Sequence, residues 1–216
     1  VGPVQGEWPF GYTESTWSRA YYECHTFETF LKLERVRREI DYENPDIPLL
    51  TAAVFYQTNR ERAIHGAEAL EYSPALHRAA RGHSRDMVKH SFYAHQSPVS
   101  GKRSPDDRVR REGLRPTTVG ENIATTGRKG IEKWTDLGHG EVYAGPATYA
   151  EAGRQVVRLW LESYAGHREA LLSPLFTHLG IGVAVDSNYT PEGRMMDASR
   201  TEQYFFTQDF ALVAGE

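Results

Sequence analysis

Two β-rich runs close this chain, LGIGVAV at 179–185 and QYFFTQDFALV at 203–213, and every strongly helical pattern comes before them. Branched and aromatic residues fill both runs, and the polar stretch SNYTPEG between them reads as a turn. Helices first and strands later argue for an α+β domain, with an antiparallel sheet covered by helices.

The helical part has its own punctuation. Ser73 followed by Pro74 is a start signal, because the serine hydroxyl can accept a free N–H and proline has none to leave unpaired. The helix that follows carries Leu76, Ala79, Ala80, His83, Met87 and His90 on one side. Before it, PLLTAAVFYQTNRERAIHG reads as a helix with Leu50, Val54 and Gln57 or Thr58 inward, closed by Gly66. After it, a long helix has Val157, Trp160, Leu161 and Tyr164 as its seam, and His167 opens a short helix stopped by Pro174. The stretch VSGKRSPDDRVRREGLRP, with its alternating charges, reads as solvated surface in which Val109 and Leu114 anchor a short helix. Residues 127–147 read as a glycine-rich insertion.

Residues 1–48 are expected to be an extension to a domain at 49–216. An arm rich in glycine and proline leads to a helical stripe of Trp17, Ala20, Tyr21, Cys24, Phe27 and Leu31, and Pro45 and Pro48 close a charged linker. Cys24, the only cysteine, excludes an intrachain disulfide and a thiolate zinc cluster, and is expected to be a small buried residue.

The composition narrows the function classes. A net charge of −4 with lysine and arginine spread along the chain gives no footprint for nucleic acid. No run approaches the roughly 18 apolar residues of a membrane span, and no signal segment opens the chain. The HExxH, GxSxG, GxGxxG and phosphate-loop patterns are missing, so nothing points to an organic cofactor.

What remains is histidine and carboxylate in distant segments. His83 and His90 share a helix face, the first read as a hydrogen-bonded core residue and the second as helix-end punctuation or else a cleft-lining group. His95, in HSFYAHQSP, lies past the helix end, where the chain can swing it toward another segment. Ser97 beside it is a turn residue rather than a nucleophile. His178 orders a turn and Asn122 ties loop backbone together, while Gln208 either faces a cavity or supports the sheet. Arg168 either binds a carboxylate or pairs with a nearby acid. His139 and Glu141, on the insertion, read first as surface loop and otherwise as groups that reach over a cleft.

Taken in order, LEYSPALHRAARGHSRDM, FYAHQSP, GENIA, VVRLWLESYAGHREALLSPLFTHLGIGVAV and YFFTQDF resemble the successive signatures of the CAP superfamily, in its cysteine-poor bacterial branch. This superfamily includes the cysteine-rich secretory proteins, insect venom antigens and plant pathogenesis-related proteins. The resemblance covers about residues 50–212 and leaves the extension unexplained. It implies a three-layer α-β-α sandwich around a central antiparallel sheet. It also implies a cleft lined by two histidines and two acids that often holds a divalent ion, commonly zinc. The first histidine falls on His95, the first acid on Glu121 and the second histidine on His167; where the second acid belongs, this chain has Ser163, with Glu162 about 100° round the helix.

Neutral imidazoles from His95 and His167 with a Glu121 oxygen would make a two-nitrogen, one-oxygen site whose fourth position is open to water. Three functions are then expected to compete. The first is a secreted, periplasmic or envelope-associated module whose cleft binds a metal ion and a lipid, glycan or peptide. The second is a metal-assisted hydrolase of peptidase or esterase type, with Glu121 as general base. The third is an interaction protein that docks through its N-terminal helix.

Overall fold

A computed structural model describes residues 21–136, 141–189 and 201–213. Four strands form the main sheet in the order β1-β5-β6-β2, with β1 Glu71–Tyr72, β2 Thr118–Gly127, β5 His178–Tyr189 and β6 Thr201–Leu212. β5, β6 and β2 pair antiparallel, and the two residues of β1 join β5 in parallel. The two β-rich runs are therefore central strands β5 and β6, and GENIA lies in edge strand β2.

The alternation of side chains along β5 and β6 decides the layers. Leu179, Ile181, Val183, Tyr204, Phe206 and Phe210 point to one face, where α2 (Ile47–Ile64), α5 (Tyr149–Leu161) and α6 (His167–Leu172) pack. The other face takes α3 (Pro74–Lys89) and α4 (Pro105–Arg111). There the glycines of LGIGVAV act through their size. A Cβ at Gly180 would lie 2.1 Å from the His77 nitrogen, and one at Gly182 would lie 2.2 Å from the Ala80 carbonyl carbon. Helix backbone sits directly on strand backbone at both points.

The helix starts follow their signals. The Ser73 hydroxyl accepts from the Leu76 N–H, and Pro74 stands at the first helical position. α4 begins the same way, with Ser104 and Asp107 in a reciprocal capping box before Pro105. α2 ends at Gly66, whose φ of +73° is the left-handed conformation that glycine adopts without strain.

The extension differs from its expectation. The stripe is interrupted after a helical turn at 21–23; a separate turn α1 (Phe27–Phe30) follows, then a 3₁₀ turn at Glu34–Arg37. Cys24 falls at that break and is exposed, because the helix that would have turned it inward ends there. Trp17 and Ala20 lie outside the described residues. Tyr21, Phe30, Val36, Ile40 and Tyr42 join the same core as α2, and the Tyr56 hydroxyl donates to the Tyr21 carbonyl at 2.6 Å. This packing explains why α2 is buried on all sides from Leu49 to Asn59 instead of along one stripe. The insertion also holds structure: a 3₁₀ turn Arg128–Ile131 and a two-stranded sheet of β3 (Lys133–Asp136) and β4 (Glu141–Gly145).

Candidate functional site at the β2 edge

Glu121 and Asn122 are neighbours on an edge strand, so their side chains leave on opposite faces of the sheet. Each collects one histidine-bearing segment.

On the α3 face, the loop after α3 carries His95. Ser91, with φ of +52°, turns the chain out of the helix, and His90 is the exposed C-cap residue. Two buried side chains hold the loop from below. His83 Nε2 meets the Ala94 carbonyl at 3.0 Å, and Arg108 Nη1 donates to the carbonyls of His95 and Lys102, each at 3.1 Å. Ser97 does turn work, its hydroxyl accepting from the Val99 N–H.

The Glu121 side chain is 1 % exposed and both its oxygens are engaged. His95 Nδ1 lies 2.8 Å from Oε1, and Arg108 Nη2 donates to Oε2. Burial pushes this carboxyl up, but the bond from His95 and then the guanidinium of Arg108 bring it below the ordinary range, so it is an anion. His83 itself is held down at about 4 by burial first and then by Arg108, against the pull of Glu121, and is neutral.

Asp209 faces Glu121 across the β2–β6 ladder. It is fully buried, and neither carboxyl oxygen has a donor among the described residues. Burial, then the Glu121 charge, raise its pKa well above the ordinary value. The raised pKa favours Asp209 as a neutral acid beside the Glu121 anion, because two adjacent carboxylates cannot both ionise in a dry site.

On the opposite face, the Asn122 Nδ2 donates to the His167 carbonyl and to Gln208 Oε1, each at 3.0 Å. Gln208 in turn donates to Thr58 Oγ1 on α2, so it supports the sheet from a fully buried position. Gly166, with φ of +85°, lets the chain break between α5 and α6, and His167 opens the new helix. Its Nδ1 lies 2.8 Å from Ser163 Oγ. Burial lowers the His167 pKa, its neighbour His95 lowers it further, and Glu169 opposes both. The two imidazoles are thus electrostatic neighbours around the β2 edge.

Both rings use Nδ1 for a protein partner, which leaves Nε2 outside these bonds. For His95 the partner is an acceptor-only carboxylate, so Nδ1 carries the hydrogen and Nε2 the lone pair when the ring is neutral. This is how metal-ligating histidines are oriented from behind. Glu121 stands behind His95 in this arrangement rather than beside it as a third donor. Among the described residues no three histidine, cysteine or acidic side chains are grouped to hold a metal ion. The donors left for an ion at this edge are two imidazole nitrogens, and the described residues do not fit a three-ligand centre.

The remaining candidates fall elsewhere. Arg168 is exposed on α6, and His178 orders its turn through Thr177 Oγ1 at 2.8 Å. Glu141 opens β4, while His139 lies outside the described residues. Two residues the sequence reading passed over matter most. Arg108 was placed on a solvated surface but is 2 % exposed, because α4 turns it under the His95 loop. The signal was there: Ser104-Pro105-Asp106-Asp107 repeats the start signal of α3, and Arg108 stands next to inward Val109. Asp209 had only its place in a run with period-two alternation to mark it as inward.

Comparison with known proteins agrees with this architecture. Two Bacillus subtilis proteins, the uncharacterized protein YkwD and the uncharacterized membrane protein YlbC, are each 35 % identical over 125 and 126 residues, which is 58 % of this chain. The chain spans only 38 % and 29 % of their lengths. A Bacillus anthracis extracellular protein containing an SCP domain, solved by crystallography, superposes with a TM-score of 0.52 at 26 % identity, covering 76 % of this chain and 40 % of that one. No helix among the described residues is long and apolar enough to cross a membrane. The profile of the cysteine-rich secretory protein family, CAP, matches residues 55–210, more than half of the chain, and with a single cysteine and bacterial relatives the chain belongs to that family's cysteine-poor bacterial branch.

Proposed function

We propose that this CAP domain is a binding module that works outside the cytoplasm, with the cleft at the β2 edge as its ligand site. The observation that carries the reading is the double engagement of Glu121: one oxygen on His95 and the other on Arg108. A carboxylate held below its ordinary pKa by a buried guanidinium is a poor general base, since base catalysis at neutral pH favours a group poised near 7. Its role is to orient His95. His95 and His167 would hold a divalent ion, with zinc favoured by nitrogen donors, and the ion would supply a Lewis-acidic anchor for an oxygen of a lipid, glycan or peptide ligand. The extracellular description of the Bacillus anthracis relative supports placement outside the cytoplasm.

Calorimetric titration of chelator-treated protein with zinc chloride tests this. One equivalent is expected to bind, His95→Ala and His167→Ala each to abolish uptake, and Glu121→Gln to weaken it about 10- to 100-fold, the range for lost outer-shell partners. No uptake by the parent protein would remove the ion from the reading. Turnover of an ester or peptide panel that Glu121→Gln eliminates with the fold intact would replace binding with hydrolysis.

A further inference from the structure

At the other edge of the sheet, β5 has no strand partner among the described residues beyond the two of β1. A cavity of about 630 Å³ lies there, between α3, the start of α2 with the segment before it, and β5 residues 183–187. None of the groups at the β2 edge lines it. β5 and β6 separate the two places.

The walls differ in chemistry. α3 contributes Arg81, Arg85 and Lys89, spaced one turn apart on one face. The opposite side is apolar and aromatic, with Ile47, Pro48, Val183 and Tyr22, whose ring stacks on Tyr72 at 3.7 Å. Glu43 and Glu202 also line the cavity, from elements other than α3, so the charged residues on the helix wall are all cationic. His77 at the head of that row reports the field. Its pKa falls to about 4 through burial and then through Arg81, Arg78 and Arg85, with no carboxylate among the causes. Its Nδ1 is buried without a hydrogen-bond partner among the described residues, a polar atom that a ligand can satisfy.

Size and charge together select the ligand. A cavity of this volume is in the ordinary range for small-molecule sites, and an inorganic anion would leave most of it empty. We propose that this cavity is a second binding site that takes a free organic anion, with one carboxylate, sulfonate or phosphate group against Arg81, Arg85 and Lys89 and a ring-bearing apolar body against Tyr22, Ile47 and Val183. It is independent of the β2-edge reading, since no residue is shared.

The test uses two fluorescent probes that differ in one anionic group, 8-anilinonaphthalene-1-sulfonate and neutral N-phenyl-1-naphthylamine, titrated into the whole chain. One sulfonate probe per molecule is expected, bound at least about tenfold more tightly than the neutral one and weakened by added salt. Lys89→Glu, at an exposed position, should cost the sulfonate probe about tenfold and leave the neutral probe unchanged. Ser187→Trp, also exposed, should block both, while His95→Ala should change neither. Equal affinity for the two probes, or sulfonate binding indifferent to both Lys89→Glu and Ser187→Trp in folded variants, overturns the proposal. Sedimentation with phosphatidylglycerol vesicles that Lys89→Glu abolishes, without binding of the sulfonate probe, would assign the anion to a lipid headgroup and overturn the free-ligand form.

Discussion

Asp209 and Glu121 are two carboxyl groups in one buried space with opposite protonation, and the difference comes from their partners. Glu121 has a guanidinium and an imidazole; Asp209 has no donor among the described residues and stands beside the Glu121 charge. The consequence for stability has a definite sign. Because the folded pKa of Asp209 is raised, its contribution is fully present below the unfolded value of about 3.9 and is lost as pH rises toward the folded value. At pH 7 folding must therefore keep a proton on a group that would ionise in the unfolded chain. Asp209→Asn, which is neutral in both states, should raise the urea midpoint at pH 7 and leave it nearly unchanged at pH 3. An equal gain at both pH values would show that Asp209 is not a neutral acid in the folded protein.

Among the elements, α3 makes the closest contact, since Gly180 and Gly182 let its backbone rest on β5. This contact fixes the depth of α3, and with it His83, whose bond to the Ala94 carbonyl holds the loop of His95. Adding a methyl group at Gly182 must push helix and strand apart, because its neighbours are backbone atoms at 2.2 Å rather than yielding side chains. Gly182→Ala should destabilise the fold by about 3 kcal/mol, the upper part of the usual overpacking range, read from chemical denaturation. It should also broaden the amide resonances of residues 94–96, which a purely local perturbation would not reach. A cost below about 0.5 kcal/mol would mean that α3 slides freely on the sheet.

Over the whole molecule, the extension and the CAP domain share one core. Phe30 is fully buried and stacks on Tyr56 of α2 with ring centroids 4.3 Å apart, and Tyr22, Phe55 and Tyr72 continue the aromatic cluster. Removing residues 1–45 would bare the outer face of α2, which supplies Thr58 to the Gln208–Asn122–His167 chain. Burying a single large apolar side chain stabilises by about 1.5–3 kcal/mol, so losing Tyr21, Phe30, Val36 and Ile40 together removes about 6–12 kcal/mol, comparable to the whole margin of an ordinary domain. The shortened chain is expected to bind 8-anilinonaphthalene-1-sulfonate in excess of one equivalent and to lose its cooperative thermal transition. A sharp transition retained near the parent temperature would make the extension a separate unit.

Local order was legible before any coordinates. Branched and aromatic residues marked β5 and β6, the Ser73-Pro74 pair marked the start of α3, and the five ordered segments carried the resemblance to the family and with it the expectation for His95, Glu121 and His167. Such signals are read within one turn or one strand, because capping, backbone sterics and amphipathic burial act between near neighbours in the chain. Which distant groups meet is a different question, decided by how layers stack. A charged stretch that looks solvated was turned under the His95 loop to bring Arg108 to Glu121, and an aspartate in an apolar strand was set against that same glutamate by register alone. Tertiary structure assigned these roles because a carboxylate's charge state depends on what lies within a few ångströms in space, and that neighbourhood is assembled from segments far apart in the chain.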